Sequence, residues 1–438
     1  MKKNNPYDRA VTIVKTLQTN GYTAYFAGGY VRDMLRGKDE CRDIDIATSA
    51  RPGEIQSLFA RVLPVGESFG VMIVVVDGFP FEVATFRSEE SYSNGRHPDS
   101  VSFSDPRRDA QRRDFTINGM FFDPISRQLY DYVGGQEDLA AGIIKTIGDP
   151  FQRFAEDYLR ILRAVRFAAR FNFTMEDATY RALKKTAHHI RNISVERIFQ
   201  ELDKMLTGHR PAQALEMLSE TNLLGEVLPE VERMKGVEQP PQFHPEGDVF
   251  IHTLLVLSHI GPDPSPELAW AALLHDVGKP ATQTFEDRIR FNRHNVVGAK
   301  IAEDILRRLK APKKFTARVV EMAAQHMSFV NVREMRTGKL KRFLARDTIE
   351  DELLLHRADC LASHGNTENY DFLREKLRNF KEEELKPDPL VTGKDLIRLG
   401  YSPSPRFGEI LDAVYDMQLE EKIADYEQAV EWVQKEFK

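Results

Sequence analysis

Between residues 23 and 123 the apolar positions of this chain come in short runs bounded by Gly, Pro or Asp. The segments TAYFAGG, RDIDIAT, GVMIVVV, FPFEVATFR and FTINGMFFD are rich in β-branched and aromatic residues and have the length of strands. Helical patterns separate them, so residues 1–145 are expected to form an α+β domain. After Asp149-Pro150 the strand signals nearly vanish, and apolar positions recur at helical spacing to the end of the chain. Punctuation falls at GHRP, EQPPQFHPEGD, GPDPSPE and KPDPLVTG. The Pro-rich breaks near residues 240 and 388 suggest an all-helical body divided into 146–238, 239–387 and 388–438, the last block too small to stand alone. No repeat of fixed period is present.

Composition narrows this picture. A chain of 438 residues holds two to four domains at roughly 100–200 residues each. With 42% apolar and 29% charged residues and no low-complexity tract, it is a folded globular protein and not a disordered one. Lys and Arg total 61 against 67 Asp and Glu, a formal charge of −6, so contact with a nucleic acid must rest on local basic patches. The most apolar run, Val71 to Val76, is far short of the roughly 20 residues that span a bilayer, and no membrane partner is expected. The opening segment MKKNNPYDRAVTIVKTLQ lacks the apolar core of a signal peptide, which points to a cytoplasmic protein. Cys41 and Cys360 are the only cysteines, too few for a disulfide framework or a Cys-based zinc site.

The chemistry starts at GGYVRDMLRGKDECRDIDIAT, Gly28 to Thr48. In a strand, Asp43 and Asp45 stand two apart and so point to one face. Two carboxylates that close repel unless a cation neutralises them, and an all-oxygen donor set suits Mg²⁺ together with phosphate oxygens. Gly28 and Gly29 let the backbone approach an anion, and a helix starting near Tyr30 would aim its first N–H groups the same way. Glu82, in the apolar strand FPFEVATF, is a candidate third carboxylate. These parts suit metal-assisted phosphoryl or nucleotidyl transfer, although two acids on a solvated strand are also common.

The order GGxVRD then DxD resembles the first motif of the class II tRNA nucleotidyltransferase and bacterial poly(A) polymerase family, within the polymerase β superfamily. Further segments agree in order: RRDFTINGM from Arg112, DYVGGQEDL from Asp131, EDYLRILRAVRF from Glu156 and SVERIFQEL from Ser194. The resemblance implies a polymerase β-like α+β nucleotidyltransferase head followed by an all-α body. It implies that Gly28, Gly29, Arg32 and Asp33 serve the triphosphate side of a nucleotide site. Arg113 and Asp114 would address ribose and phosphates with Asn118 nearby, Gly119 standing where members often have Ala, and DYVGGQEDL would act as a hinge.

Asp157 and Arg160 lie three apart, which on a helix is one face. A carboxylate and a guanidinium complement the amine donor and ring-nitrogen acceptor shared by C and A, while G and U present the reverse. Each mismatched buried group costs about 1–3 kcal/mol, enough for strong selection. The same spacing also describes an ion pair on a solvated helix. Arg163, Arg166 and Arg170 continue the helical series, the last two expected on a polar face. Basic clusters at Arg307–Arg318 and Arg333–Arg346 are alternative RNA contacts or solvated faces.

A second constellation follows. His252 in FIHTLLVL, His275-Asp276 in AALLHDVGKP and Asp359 in LLLHRADCLA all fall on apolar helices, with His294 and His326 as possible additions. These residues resemble the metal-dependent phosphohydrolases named for their His-Asp pair, which implies an HD-type domain holding a second divalent metal of unspecified identity. PLVTGKDLIRLGYSPSPRFGEILDAV resembles the tail that follows this domain in many nucleotidyltransferases.

The expectation is thus an enzyme that adds C and/or A from CTP and ATP to the 3′ end of tRNA with Mg²⁺ at the head. A poly(A) polymerase is the nearest rival, disfavoured by PVGESFGVMIVVV in place of an Arg-Arg-Phe stretch and by a tail that is not basic. An A-adding-only enzyme is another. The polar segment EESYSNGRHPDSVSF looks like the flexible loop that CC-only members lack. An HD-type phosphohydrolase is the reading from a different class, and the oligomeric state is open.

Overall fold

The computed structural model describes residues 5–37, 43–66, 69–90 and 100–437. The chain divides into two compact units, Met1–Val227 and Leu228–Lys438.

Unit 1 opens with α1 (Pro6–Thr19), capped by the Asn5 side chain on the Tyr7 N–H. Its Ala10, Ile13, Val14 and Leu17 recur at helical spacing and are all buried. Then come β1 (Ala24–Ala27), α2 (Gly29–Leu35), β2 (Asp45–Thr48), α3 (Pro52–Leu58), β3 (Val62–Gly66), β4 (Val71–Val76) and β5 (Phe79–Thr85). A separate ribbon of β6 (Arg87–Glu90) and β7 (Ser100–Phe103) leads to α4 (Pro106–Gln111), β8 (Met120–Asp123), β9 (Gln128–Asp131) and α5 (Gly135–Ala141). The seven-stranded sheet runs β3-β4-β5-β2-β1-β8-β9. Within this sheet, among the described residues, only the β2–β5 pair is parallel.

Strand alternation separates core from chemistry. Phe26, Ile44 and Ile46 face the core with Met72, Val74, Val83 and the buried stripe of α1. Their neighbours Ala27 and Ala47 belong to the opposite face, with Phe86, Ala110 and Phe121. Asp45 pairs with Ala27, the last residue of β1. It also stands one residue before the parallel Ile46–Val83 pair, level with Glu82 on β5.

Two details depart from the strand pattern. The strand in RDIDIAT starts at Asp45, so Asp43 sits just before it, outside the strand. FTINGMFFD is a strand only from Met120; Thr116–Asn118 is a 3₁₀ turn. The cause is local polar bonding, since the Asn118 amide donates to Asp114 Oδ1 at 3.0 Å and the Thr116 hydroxyl to Asp138 at 2.6 Å.

The helical part of unit 1 comprises α6 (Pro150–Glu156), α7 (Leu159–Phe171), α8 (Asp177–Thr186), α9 (Val195–Leu206) and α10 (Pro211–Glu220). In DYVGGQEDL, the Asp131 carboxylate accepts from the N–H groups of Val133, Gly134, Gly135 and Gln136 at 2.9–3.1 Å, which makes this element a tight cap on α5.

Unit 2 is helical apart from a small hairpin, Gln283–Phe285 with Ile289–Phe291. The helices Val249–His259, Pro266–Leu274, His294–Arg308, Lys313–Gln325 and Ile349–Ala362 carry its central side chains, with Trp270 fully buried. The end of the chain, Arg406–Leu419 and Tyr426–Glu436, has a small core of its own. It also leans on Thr337–Leu344, where Lys341 meets Glu421 at 2.8 Å. No helix among the described residues is long and apolar enough to cross a membrane.

Candidate active site

The cleft of unit 1 has a volume of about 520 Å³ and is walled by β1, β2, β5, the segment from Arg112 to Asn118 and the start of α7. Asp45 and Glu82 project into it from neighbouring strands. Burial, then the charges of Glu82 and Asp43, push the Asp45 carboxyl up to about 6, with Arg113 pulling the other way. Asp43 is exposed and does not line the cleft itself, yet its charge reaches Asp45. Arg113 offsets only part of the crowding of these three acids, and their oxygens fit a hard divalent cation.

Gly28 follows β1 with φ +64°, ψ −129°, a conformation that suits glycine. A Cβ here would lie 3.1 Å from Arg113 Nη1 and 3.8 Å from Asp45 Oδ2, so the missing side chain keeps the backbone open beside the carboxylates. Gly29 begins α2, whose seven residues bury Arg32 and Asp33.

Several nucleotide-site candidates are already engaged with one another. Arg32, 4% exposed, grips Asp33 through Nε at 2.8 Å and Nη2 at 2.9 Å, and donates to Asn118 Oδ1 at 2.6 Å. Asp114 binds Arg163 at 2.6 and 2.8 Å, the Phe115 N–H at 2.8 Å and the Asn118 amide. Burial would raise its pKa, but Arg163 and Asn118 hold this carboxyl well below the usual range. Asp114 therefore ties the sheet domain to α7, although it lies at the cleft wall. Arg113 is aimed by a residue that the sequence reading did not single out. Asp109 on α4, 1% exposed, accepts from Arg113 Nε and Nη2 at 3.2 and 3.0 Å and from Arg112 at 2.8 Å. The i,i+3 and i,i+4 spacing in RRDAQRRD was the available signal.

Asp157 and Arg160 both line the cleft, but they do not share a helix. The chain breaks between α6 and α7: Asp157 is extended, φ −152°, ψ 104°, and its carboxylate accepts from the Leu159 N–H at 3.1 Å. Both of its oxygens also meet Arg197 of α9, at 2.7 and 3.2 Å. Arg160 pairs with Glu156 and donates to the carbonyls of Arg153 at 2.9 Å and Arg112 at 3.2 Å. The expected one-face helical pair is replaced by two neighbours on a bend, each with its own partner. Arg166, expected on a polar face, is buried and bonded to Glu201 at 2.6 Å, while the Arg170 side chain is 42% exposed.

The RNA-contact candidates carry less information. Much of the Arg333–Arg346 cluster is tied into ion pairs: Arg333 with Glu368, Arg342 with Asp416 and Arg346 with Glu352. Most of the expected loop, residues 91–99, and Cys41 lie outside the described residues.

In unit 2 the four expected side chains converge with His294 and His326. His252 Nε2 lies 3.0 Å from Asp359 and 3.7 Å from Asp276, and His275 Nε2 is 3.3 Å from Asp276. His294 and His326 approach the same aspartate at 3.4 and 3.7 Å. The turn that brings them together depends on Gly278, where a Cβ would fall 2.2 Å from the His294 carbonyl oxygen. Burial pushes the His326 imidazole down to about 3, with the His275 charge adding to the effect. His275 Nδ1 donates to the Ala272 carbonyl at 2.9 Å, leaving Nε2 buried without a hydrogen-bond partner. An imidazole lone pair left in this way among carboxylates fits a divalent cation. Glu246, not anticipated from sequence, lies 2.6 Å from His252 Nδ1 and 2.8 Å from His244. Lys279 reaches Asp276 and Gln239, both at 2.6 Å.

Comparison with known proteins agrees with this layout. The poly A polymerase head domain matches residues 24–145, the probable RNA and SrmB-binding site of polymerase A matches 172–235, and the HD domain matches 249–363. The CCA-adding enzyme of Bacillus pumilus is 44% identical over 231 residues, 52% of this chain and 57% of that protein. That of Staphylococcus epidermidis is 41% identical over 213 residues, 48% and 53% of the two chains. The chain thus aligns with little more than half the length of these curated relatives. The structure of the Bacillus stearothermophilus CCA-adding enzyme in complex with CTP superposes with a TM-score of 0.75 at 28% identity, covering 99% of this chain and 98% of that one. The Thermotoga maritima enzyme complexed with tRNA shares the fold, with a TM-score of 0.60 at 19% identity over 100% and 97% of the chains. A polymerase β-like head, a largely helical body and an HD-fold region follow one another in the order the motifs required, and the chain belongs to the CCA-adding enzyme and bacterial poly(A) polymerase family with a C-terminal HD domain.

Proposed function

We propose that this chain adds C and/or A residues from CTP and ATP to the 3′ end of tRNA, releasing pyrophosphate. The observation that carries this reading is the placement of Asp45 and Glu82 on adjacent strands, against a Gly28 turn open to phosphate and beside Arg113. Divalent ions, Mg²⁺ by the all-oxygen donor set, would be held by Asp43, Asp45 and Glu82 and would supply positive charge to the attacking and leaving oxygens. Arg113, aimed by Asp109, faces the triphosphate. Arg32, Asp33 and Asn118 brace the glycine turn from below.

The base end of the nucleotide meets Asp157 and Arg160. The carboxylate accepts from the exocyclic amine of C or A, and the guanidinium donates to the adjacent ring nitrogen. Arg197 holds Asp157 in place for this task. The similarity to CCA-adding enzymes, one of them a CTP complex, supports tRNA, CTP and ATP as ligands.

A second activity in the same chain, hydrolysis of a phosphoester at unit 2, is favoured by the buried imidazole and carboxylate donors around Asp276.

The test supplies one nucleoside triphosphate at a time to purified protein with tRNAs ending before the first C, tRNAs ending after CC, and oligo(A). Stepwise extension of the tRNAs by C and then A is expected, with oligo(A) untouched. Extension of oligo(A) alone would replace this reading with poly(A) synthesis, and addition of A alone would narrow it.

A further inference from the structure

Three strands of unit 1 carry the acid row of the cleft outwards. Glu82 on β5 lies opposite Ile73 on β4, and Ile73 lies opposite Leu63 on β3. Directly opposed residues share a face, so Asp45, Glu82, Ile73 and Leu63 form one line across the cleft side of the sheet. At about 4.8 Å between strands, this line runs roughly 10 Å past Glu82. It ends in the open. Leu63 is 45% exposed, and Val65 and Phe69, at 70% and 37%, lie on the same β3–β4 hairpin. Two residues before Leu63, and so on its face, stands the exposed Arg61, whose carbonyl accepts from the Val75 N–H at 3.0 Å.

Exposed apolar residues that continue a catalytic cleft mark a docking surface, and two observations decide the occupant. A strand from a second copy of the chain suits it poorly, because Pro64 and the bulge between Pro64 and Gly66 interrupt β3 as a pairing edge. The direction of the reaction supplies the rest. In an in-line displacement the attacking oxygen approaches the α-phosphorus from the side away from the leaving pyrophosphate. The leaving side is the Gly28 turn with Arg113, at the β1 end of the line, so the attacking hydroxyl comes from the β4 and β3 end.

We propose that Ile73 and Leu63 carry the terminal nucleotide of the acceptor RNA, the apolar faces of its ribose and base resting on them, with Arg61 on a backbone phosphate behind it. Aliphatic side chains have no donors or acceptors with which to select a base, and contact with the π-face of a base is tolerant of sequence. That suits an RNA end whose last residue changes with every addition. An apolar shelf also keeps backbone phosphates away from Glu82 and Asp45, whose charges would repel them. The inference rests on the nucleotidyl-transfer reading and adds where the acceptor lies.

The test uses tRNA whose last base carries a photoactivatable diazirine, irradiated on the full-length protein. Crosslinks to the peptides that carry Leu63 and Ile73 are expected. Leu63→Asp should raise KM for tRNA about tenfold, Arg61→Glu by less, and Leu63→Met should keep the wild-type value. The dissociation constant for CTP alone should be the same in all of them, which shows that the head is folded. Crosslinks elsewhere in a protein that still extends tRNA would overturn the shelf while leaving nucleotidyl transfer in place, as would an unchanged KM in Leu63→Asp. A wild-type protein that extends no tRNA would remove the functional reading and this inference together. The crosslink is made on unaltered protein, so it decides the matter even if a variant fails to fold.

Discussion

The cleft of unit 1 and the centre of unit 2 both gather acids, and they treat them in opposite ways. In the cleft, Asp45 and Glu82 face open space, with arginines along the walls, as suits a site that admits a large anion. In unit 2, Asp276 is 2% exposed and is surrounded by imidazoles and Lys279. Oxygen donors beside guanidinium groups favour a hard ion that arrives with phosphate. Nitrogen donors around a buried carboxylate favour a softer ion that stays.

The largest effect expected from breaking this contrast is on the open side. Asp45→Ala should reduce nucleotide incorporation at least ~1,000-fold, since a carboxylate holding a catalytic ion contributes several kcal/mol. The metal content of unit 2 should be unchanged, so single-turnover extension and metal analysis on one sample separate the two sites.

Next in size is Asp114→Asn. It leaves Arg163, whose side chain is about one-third exposed, without its anion, a loss of roughly 1.5–3 kcal/mol. Because the folded pKa of Asp114 is depressed, its contribution is full above the ordinary carboxylate pKa of about 4 and disappears as pH falls through the folded value. Denaturant unfolding from pH 7 downwards should show wild type losing its advantage below about pH 4, with the variant flatter.

Gly278→Ala tests unit 2, because the added methyl would meet the His294 carbonyl oxygen at 2.2 Å. A destabilisation of about 1–3 kcal/mol in unit 2 is expected, with weakened Mn²⁺ binding and nucleotide incorporation largely kept. Calorimetry with the extension assay checks this.

The smallest effect is expected for Arg197→Ala, which removes the partner of Asp157. Roughly tenfold weaker discrimination of C and A against G and U, with little change in kcat for CTP, would follow if the pair serves base selection. Competition between nucleotides measures it.

Legibility from sequence followed the range of the interactions. Strands with β-branched runs could be read directly, as could the order of the motifs, because both are local. The placement of His252, His275, Asp276 and Asp359 on or at the ends of apolar helices was equally visible. The bend at Asp157 was not, since it depends on a carboxylate shared between the Leu159 N–H and an arginine 40 residues away. Burial of Arg166 depends likewise on Glu201. Glu246 was passed over because it precedes the helix of His252 in a Pro- and Gly-rich segment that reads as punctuation.

One joint has an evolutionary corollary. Arg153 and Arg160 hold the sheet domain by its main-chain carbonyls, at Gln111, Arg112 and Ile147. A carbonyl is present whatever side chain it carries. A change of side chain at residues 111, 112 or 147 therefore leaves these hydrogen bonds their acceptors, and the burden of preserving them falls on the two guanidinium groups that donate.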